Sequence, residues 1–513
     1  MNEPISSTPA VLWATLFEQQ QDSGLTLQGR IRQMLVSAIL TGYLPPGAPA
    51  PSSRLLSENL DVARNTVVFA YQQLVCEGYL VSRERSGHYV APDVLHGRLA
   101  TRNALLGSGM AAHTAQSPPS WAQRLPVVPS RQRNIAKPVD WQRFPYPFVY
   151  GQFDANRFPT AEWRECCTRA LSVLDIKSWA RDLIANDDPA LIDAIRTQVL
   201  PSRGIWAQKD EIIVTVGAQH ALYLLADLLL HSDTVIGMED PGYPDARNIF
   251  ARRSERLVPL AVDECGLRIT PDLRQCDYIF VTPGHHCPSG VTLAPERRVA
   301  LLGLAYESDS IIIEDDYETD SPYNTPPVAA LKSLDRDGRV IYVGSLSKSF
   351  APGLRLGYIL APPALTLELR ALRRLMLRHP CAYIQRAFAL FISLGHHHAL
   401  LRRLSGLYTP RALCLAQALR IHLPDFELSP PNGGPSFWLK APPGTDVQRL
   451  VIAALDEGVV IEPGEVFFHR PDMGARYMRL GFSSIGVDKI PAGIERLAAA
   501  YHALDFAGAG RPG

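Results

Sequence analysis

One lysine of this chain stands in a setting suited to covalent chemistry. In GRVIYVGSLSKSFAPGLRLGY, Lys348 comes directly after an apolar, β-branched run, preceded by Ser345 and Ser347 and followed by Arg355. A lone lysine after a strand is ordinarily a surface residue. Hydroxyls, apolar shelter and a following arginine suit instead an aldehyde-bearing, phosphorylated cofactor. A sheltered amine loses its proton more easily and can form a Schiff base, while Ser345 and Arg355, with Ser347 beside them, neutralise a phosphate.

Four other stretches carry matching residue types. VTVGAQHALYLLADLLL sets Gly217, Ala218 and Gln219 between a strand and a helix, so that backbone N–H groups and the helix dipole meet the same phosphate. In IIIEDDYETD a carboxylate at a strand end can pair with a pyridinium nitrogen and keep it protonated. Asp315 is the first choice and Asp316 its neighbour, and Tyr317 can hydrogen-bond the ring's phenolic oxygen. In EDPGYP, Tyr243 can stack on the ring face, and in TPGHHCPSG, Cys287 precedes Pro288. Taken singly, these are a tight helix start, a solvated acidic turn and a turn aromatic.

The elements that position them follow from the hydrophobic pattern. Beyond Trp141, short β-branched runs alternate with longer helical stretches, which predicts a largely parallel sheet covered on both faces. TVIGM runs into EDPGYP, DYIFV into TPGHH, IIIE into DDY and RVIYV into GSLSK. The polar residues thus gather at strand ends, where open α/β sheets bind ligands.

The N-terminal part has a different period. In PSSRLLSENLDVARNTVVFAYQQLVCEGYL, Ser52 or Ser53 can cap a short helix with Leu55, Leu56 and Leu60 facing inward. After the turn DVA, a second helix starts at Arg64. Its Val67, Tyr71 and Leu74 share one face, leaving Arg64, Asn65 and Thr66 at the exposed N-terminus, the geometry of a recognition helix in a major groove. YLVSRERSGHYVA reads as a hairpin wing with Ser86, Gly87 and His88 at its tip. A small helical domain whose arginines are merely solvated fits the same pattern.

The predicted organisation is a DNA-binding domain at 24–92, a flexible basic linker at 93–140 and a large ligand-binding domain at 141–513. The linker carries six Lys/Arg against two Asp and reads as a solvated tether, with DNA-backbone contact as the other use for its charge. Over the 513 residues, 51 Lys+Arg offset 51 Asp+Glu, so overall charge names no partner. The longest apolar tract, ALYLLADLLL, is broken by Asp227, which argues against a membrane span. Eight cysteines lack the spacing of a zinc site or disulfide scaffold, so no metal is expected and reduced thiols in the cytoplasm fit.

The segment from LTLQGRIRQMLVSAILTGYLPPG through SGHYVA closely resembles the winged helix-turn-helix of the GntR family. That resemblance assigns DNA contact to Ser52, Ser53, Arg54, Arg64, Asn65, Thr66, Gly87 and His88, and Phe69 departs from the basic residue often found in its slot. From about Pro145 onward the chain resembles the fold-type I aminotransferases. EDPGY, TPGHHCPSG, EDDY and GSLSKSFAPGLRLGY match the motifs of the MocR/GabR class, in which that fold is joined to a GntR-type reader. The resemblance implies pyridoxal 5′-phosphate as an aldimine on Lys348. It also gives Arg479, in YMRLGFS, to the carboxylate of an effector. Two positions depart from pattern: Cys287 stands where aminotransferases have the ring-binding Asn, and Asp245, with Arg247 beyond, stands where some members of the class place an effector-binding Arg. Asp245 and Arg247 are both expected at the effector. An Asp245 that faces the pocket implies an effector with a further amine or other cationic group, whereas one that faces solvent implies nothing.

Two functions follow. In one, the chain is a transcription regulator that binds operator DNA and senses an amino acid or amine through external aldimine formation. In the other, it is a working aminotransferase with a fused reader. The reader and Cys287 favour the regulator, as a homodimer with readers exchanged between subunits.

Overall fold

The computed structural model describes residues 10–18, 25–83, 86–94, 120–152, 154, 157–318, 328–348, 351–429 and 434–509. They fall into two compact units, Met1–Pro126 and Val127–Gly513.

In the first unit, helices α1 (Ala10–Glu18), α2 (Leu27–Leu40), α3 (Ser53–Leu60) and α4 (Arg64–Cys76) precede an antiparallel hairpin, β1 (Leu80–Arg83) and β2 (Gly87–Val90). Trp13, Ile31, Leu35, Leu56, Val67, Tyr71 and Leu74 share one core. The face expected for the second helix is therefore the buried one, and the Tyr71 hydroxyl donates to Pro51 O at 2.7 Å. The Ser52 hydroxyl accepts from Leu55 N and caps α3. Asp61 ends α3 in the left-handed region at φ 49°, which a short polar side chain tolerates, and so turns the chain into α4. One expectation fails. Leu55 points outward, 43% exposed, because in α3 the i, i+4 pair Leu56 and Leu60 meets the core while position 55 lies off that stripe.

The second unit is built on an eight-stranded sheet among the described residues. Its strands are β3 (Ile212–Thr215), β4 (Val235–Asp240), β5 (Arg256–Asp263), β6 (Gly266–Leu267), β7 (Tyr278–Val281), β8 (Ile311–Asp316), β9 (Val340–Ser345) and β10 (Gly357–Leu360), in the order β3-β10-β9-β8-β7-β4-β5-β6. From β9 through β8, β7 and β4 to β5 the pairings are parallel, as the buried β-branched runs require. β10 runs antiparallel to both neighbours, because the chain returns directly after the Lys348 loop through Arg355 at φ 52°. Helices α5 (Gly217–Leu229) and α6 (Pro244–Phe250) begin just beyond β3 and β4. A second, antiparallel sheet of β11 (Glu427–Leu428), β12 (Ser436–Lys440), β13 (Glu462–Pro463) and β14 (Tyr477–Gly481) was not legible in the sequence, where its runs are short and mixed.

The expected linker ends differently. Residues 95–119 lie outside the described residues, and 127–140 belong to the second unit. Arg133 Nη2 donates to His469 O at 2.9 Å, and Asn248 Nδ2 of α6 donates to Arg133 O at 2.9 Å. This stretch has no apolar period to announce it, since polar side chains and its own backbone hold it.

Candidate functional site

The strand ends open into a cavity of about 400 Å³. It is lined by Ala218, Gln219, Tyr243, Asp245, Cys287, Asp315, Tyr317, Ser345, Ser347, Lys348, Arg355 and Arg479, so six separated stretches converge. Arg247 is not among the lining residues. Its guanidinium donates to Val466 O at 2.8 Å and Phe468 O at 3.0 Å, tying α6 to the 465–468 turn, so the expected effector contact is a structural clamp. Ile135, Lys137, Tyr150 and Gln152 line the cavity too and were missed by motif reading. Lys137 is one of the six basic residues of the expected linker.

At one end, α5 starts with no capping side chain at Val216, leaving its first N–H groups to the cavity. Gly217 sits at φ +76°, and a Cβ there would come within 3.1 Å of the Arg355 guanidinium, so only glycine lets arginine and helix start approach. Arg355, Ser345 and the amides of Ala218 and Gln219 thus form a cup for a doubly charged anion. The Ser347 hydroxyl is committed to the loop: it accepts from Leu356 N at 3.1 Å and donates to Leu356 O at 3.3 Å.

Lys348 Nζ lies 4.0 Å from the centre of the Tyr317 ring and 4.8 Å from that of Tyr150. Burial pulls its pKa below the usual lysine value, which favours the neutral, nucleophilic amine. Asp315 and Asp316 separate clearly. Asp316 accepts from Arg203 Nε at 2.8 Å, Arg203 Nη2 at 3.2 Å and the Tyr342 hydroxyl at 2.7 Å, on the far side of the strand. Asp315 faces the cavity, and its buried Oδ1 has no hydrogen-bond partner among the described residues. Burial pushes its carboxyl up to about 7. Burial likewise pushes the Cys287 thiol up to about 11, so near neutral pH it is a neutral, weak donor.

At the other end, Arg479 Nε donates to Glu462 Oε2 at 2.8 Å, both side chains 1% exposed. The guanidinium carbon lies 3.9 Å from the centre of the Tyr150 ring and 4.7 Å from that of Phe467, packing that fixes its plane. The Tyr150 hydroxyl donates to Glu318. Lys137 Nζ donates to Tyr150 O at 2.9 Å and stands 3.7 Å from Glu462 Oε1. The Tyr243 hydroxyl donates to Asp245 Oδ2 at 3.0 Å, so Asp245 faces the cavity with one oxygen already engaged.

In the first unit the starts of α3 and α4, which carry most of the residues expected at DNA, are joined by a side-chain hydrogen bond. Arg64 Nε donates to Ser53 Oγ at 3.3 Å, bringing the starts of α3 and α4 together. Arg64 and Asn65 are exposed and Thr66 half-buried, and Ala63 leaves α4 without a side-chain cap. Arg54 pairs with Glu58 at 3.0 Å in water, which holds it only weakly. Gly87, at φ +97°, starts β2. His88 is less free than a wing-tip residue: Nδ1 lies 3.1 Å from Ser82 Oγ, and its ring meets Tyr71 edge-on at 5.1 Å.

Comparison with known proteins supports the regulator reading. The family model for bacterial regulatory proteins of the gntR family matches residues 27–90, and that for aminotransferase class I and II matches 155–494. The HTH-type transcriptional regulator TauR of Rhodobacter capsulatus is 40% identical over 93% of this chain and 96% of its own. The chain belongs to the MocR/GabR class of transcriptional regulators. The probable rhizopine catabolism regulatory protein MocR of Rhizobium meliloti is 31% identical over 95% of this MocR-type chain and 96% of its own. A multiple substrate aminotransferase from Thermococcus profundus, 25% identical, superposes on 70% of this regulator and 92% of that chain with a TM-score of 0.65. The regulator therefore joins a DNA-binding winged helix-turn-helix to a fold-type I aminotransferase domain. That domain implies pyridoxal phosphate, and the residues fit it: an uncapped helix start with Arg355 for the phosphate, the unpartnered Asp315 for the ring nitrogen, and a deprotonation-prone Lys348 for the aldehyde. No described helix is long and apolar enough to cross a membrane.

Proposed function

We propose that this MocR-type regulator holds pyridoxal phosphate on Lys348 and uses it to sense an amino acid or amine, altering its grip on operator DNA. When bound, the cofactor supplies an aldehyde carbon that can exchange one amine partner for another. Arg355, Ser345, Ala218 and Gln219 hold the phosphate, with Ser347 bracing the loop. Asp315 would hold the ring nitrogen protonated, and Tyr243, Tyr317 and Cys287 line the cavity that would receive the ring. Arg479, already fixed in plane, receives the acidic group of the ligand, and Asp245 polarises the Tyr243 hydroxyl. Ser52, Ser53, Arg54, Arg64, Asn65, Thr66 and Gly87 contact DNA, with His88 bracing the wing. The regulator works in the cytoplasm as a homodimer that presents two readers to two half-sites, each reader exchanged onto the partner's sensor. A ligand that binds the two dimer conformations unequally shifts the balance between them.

The observation that carries this reading is the buried Asp315 oxygen, raised to about 7 and without a partner among the described residues, beside a lysine with a lowered pKa. Visible absorption of the purified protein tests it. Wild type should carry the cofactor band and shift on addition of amines, and Lys348→Ala should not. A colourless wild type contradicts the cofactor assignment, and sustained conversion of amino donor to oxo acid contradicts the pure sensor.

A further inference from the structure

At the effector end of the cavity, Arg479 and Lys137 both face the Glu462 carboxylate, and Lys137 is the more loosely held. Arg479 takes the whole of one side of Glu462, at 2.8 Å. Glu318, the other carboxylate at this end, accepts from the Tyr150 hydroxyl and acts on Lys348. Lys137 is left with the edge of Glu462 at 3.7 Å and a backbone carbonyl at 2.9 Å. Two cations thus share the Glu462 carboxylate where water is scarce, and like charges at such range repel strongly. Both line the cavity, so an anion drawn to Arg479 meets Lys137 as a second cation.

Lys137 also has an unusual place in the chain. It belongs to the stretch running back to the DNA reader, and that stretch is laced to the cavity wall. Ile135 lines the cavity beside it, and Asn248 donates to Arg133 O at 2.9 Å. In the amide orientation that satisfies its neighbours, Asn134 donates to Asp245 Oδ1 at 2.9 Å.

We propose that Lys137 is a second anchor for the acidic group of an amine ligand, giving that ligand a direct hold on the segment that leads to the DNA reader. The proposal rests on the sensor reading above, in which Arg479 takes the ligand's acidic group, and adds a second residue that selects for that group. Ligand binding draws Lys137 Nζ from Tyr150 O and Glu462 toward the incoming anion, and residues 133–137 move with it.

The test uses full-length, pyridoxal-phosphate-loaded protein as wild type, Lys137→Met and Lys137→Arg. Absorption is titrated with β-alanine, aminoethanesulfonate and propylamine. Lys137→Met should weaken at least one of the acidic amines about tenfold or more, as for loss of one charge-assisted hydrogen bond, with the cofactor band and the response to propylamine unchanged. Lys137→Arg should restore most of the loss. Equal weakening of acidic and neutral amines, or no weakening of any, overturns the assignment while leaving the sensor reading intact. A wild type that responds to none of the three probes overturns the sensor reading, and this assignment with it.

Discussion

At the cofactor end of the cavity, Asp315 has a buried oxygen with no partner among the described residues, and the start of α5 has no capping side chain. At the effector end, Arg479 is already paired with Glu462 and sandwiched between Tyr150 and Phe467. The first set of groups is complete only when a particular ring and phosphate meet it, so it suits a resident group. The second is already paired and packed by itself, so it suits a ligand that comes and goes. A sensor requires this division, because a ligand that the fold could not do without could report nothing.

The comparison can be broken most severely at Lys348. Lys348→Ala should abolish the cofactor band and every amine-induced shift, while circular dichroism shows the fold retained. Next comes Arg479→Lys, which keeps the charge opposite Glu462 but loses the planar fork. Affinity for acidic amines, read by the same spectral titration, should fall roughly tenfold to a hundredfold, with cofactor retention unchanged. Arg64→Ala separates reader from sensor: operator affinity should fall by about 1–3 kcal/mol in a gel-shift titration, without any change in the absorption spectrum.

The smallest effect is a pH dependence. Asp315 titrates at about 7 in the folded chain, against about 3.9 unfolded. The folded state therefore holds this proton more tightly, a stabilisation fully present below pH ~4 and lost as pH rises through about 7. Glu239 and Glu314, also raised to about 7 by burial, act in the same window with the same sign, so the informative quantity is the difference from Asp315→Asn. Between pH 5 and 8 the Tm of cofactor-free wild type should fall roughly 2–4 °C further than that of the variant. Pyridoxal phosphate should shrink the difference by placing a cation beside Asp315.

Most of the cofactor end was legible in the sequence, because its residues follow strand ends in short, dense motifs and chemistry restricts the types allowed. Asp315 was the first choice there with Asp316 as its neighbour, and the geometry separates them: alternation along β8 sends Asp315 to the cavity and Asp316 to Arg203. The effector end was half legible. Arg479 came from a resemblance, whereas Lys137, Tyr150 and Glu462 reach it from a segment without periodicity and from a small sheet whose strands are short. Arg247 and Leu55 misled for a common reason: sequence offsets gave their neighbourhood but not the direction of the side chain.

The central claim is that one ligand event alters both the cofactor site and the DNA reader. Titrating the loaded wild-type protein with an acidic amine that shifts its spectrum, while following absorption and operator-DNA anisotropy in the same cuvette, tests it directly. The account predicts that the spectral shift and the change in DNA affinity occur together, and that both are lost in Lys348→Ala. A full spectral shift with operator affinity unchanged would contradict it.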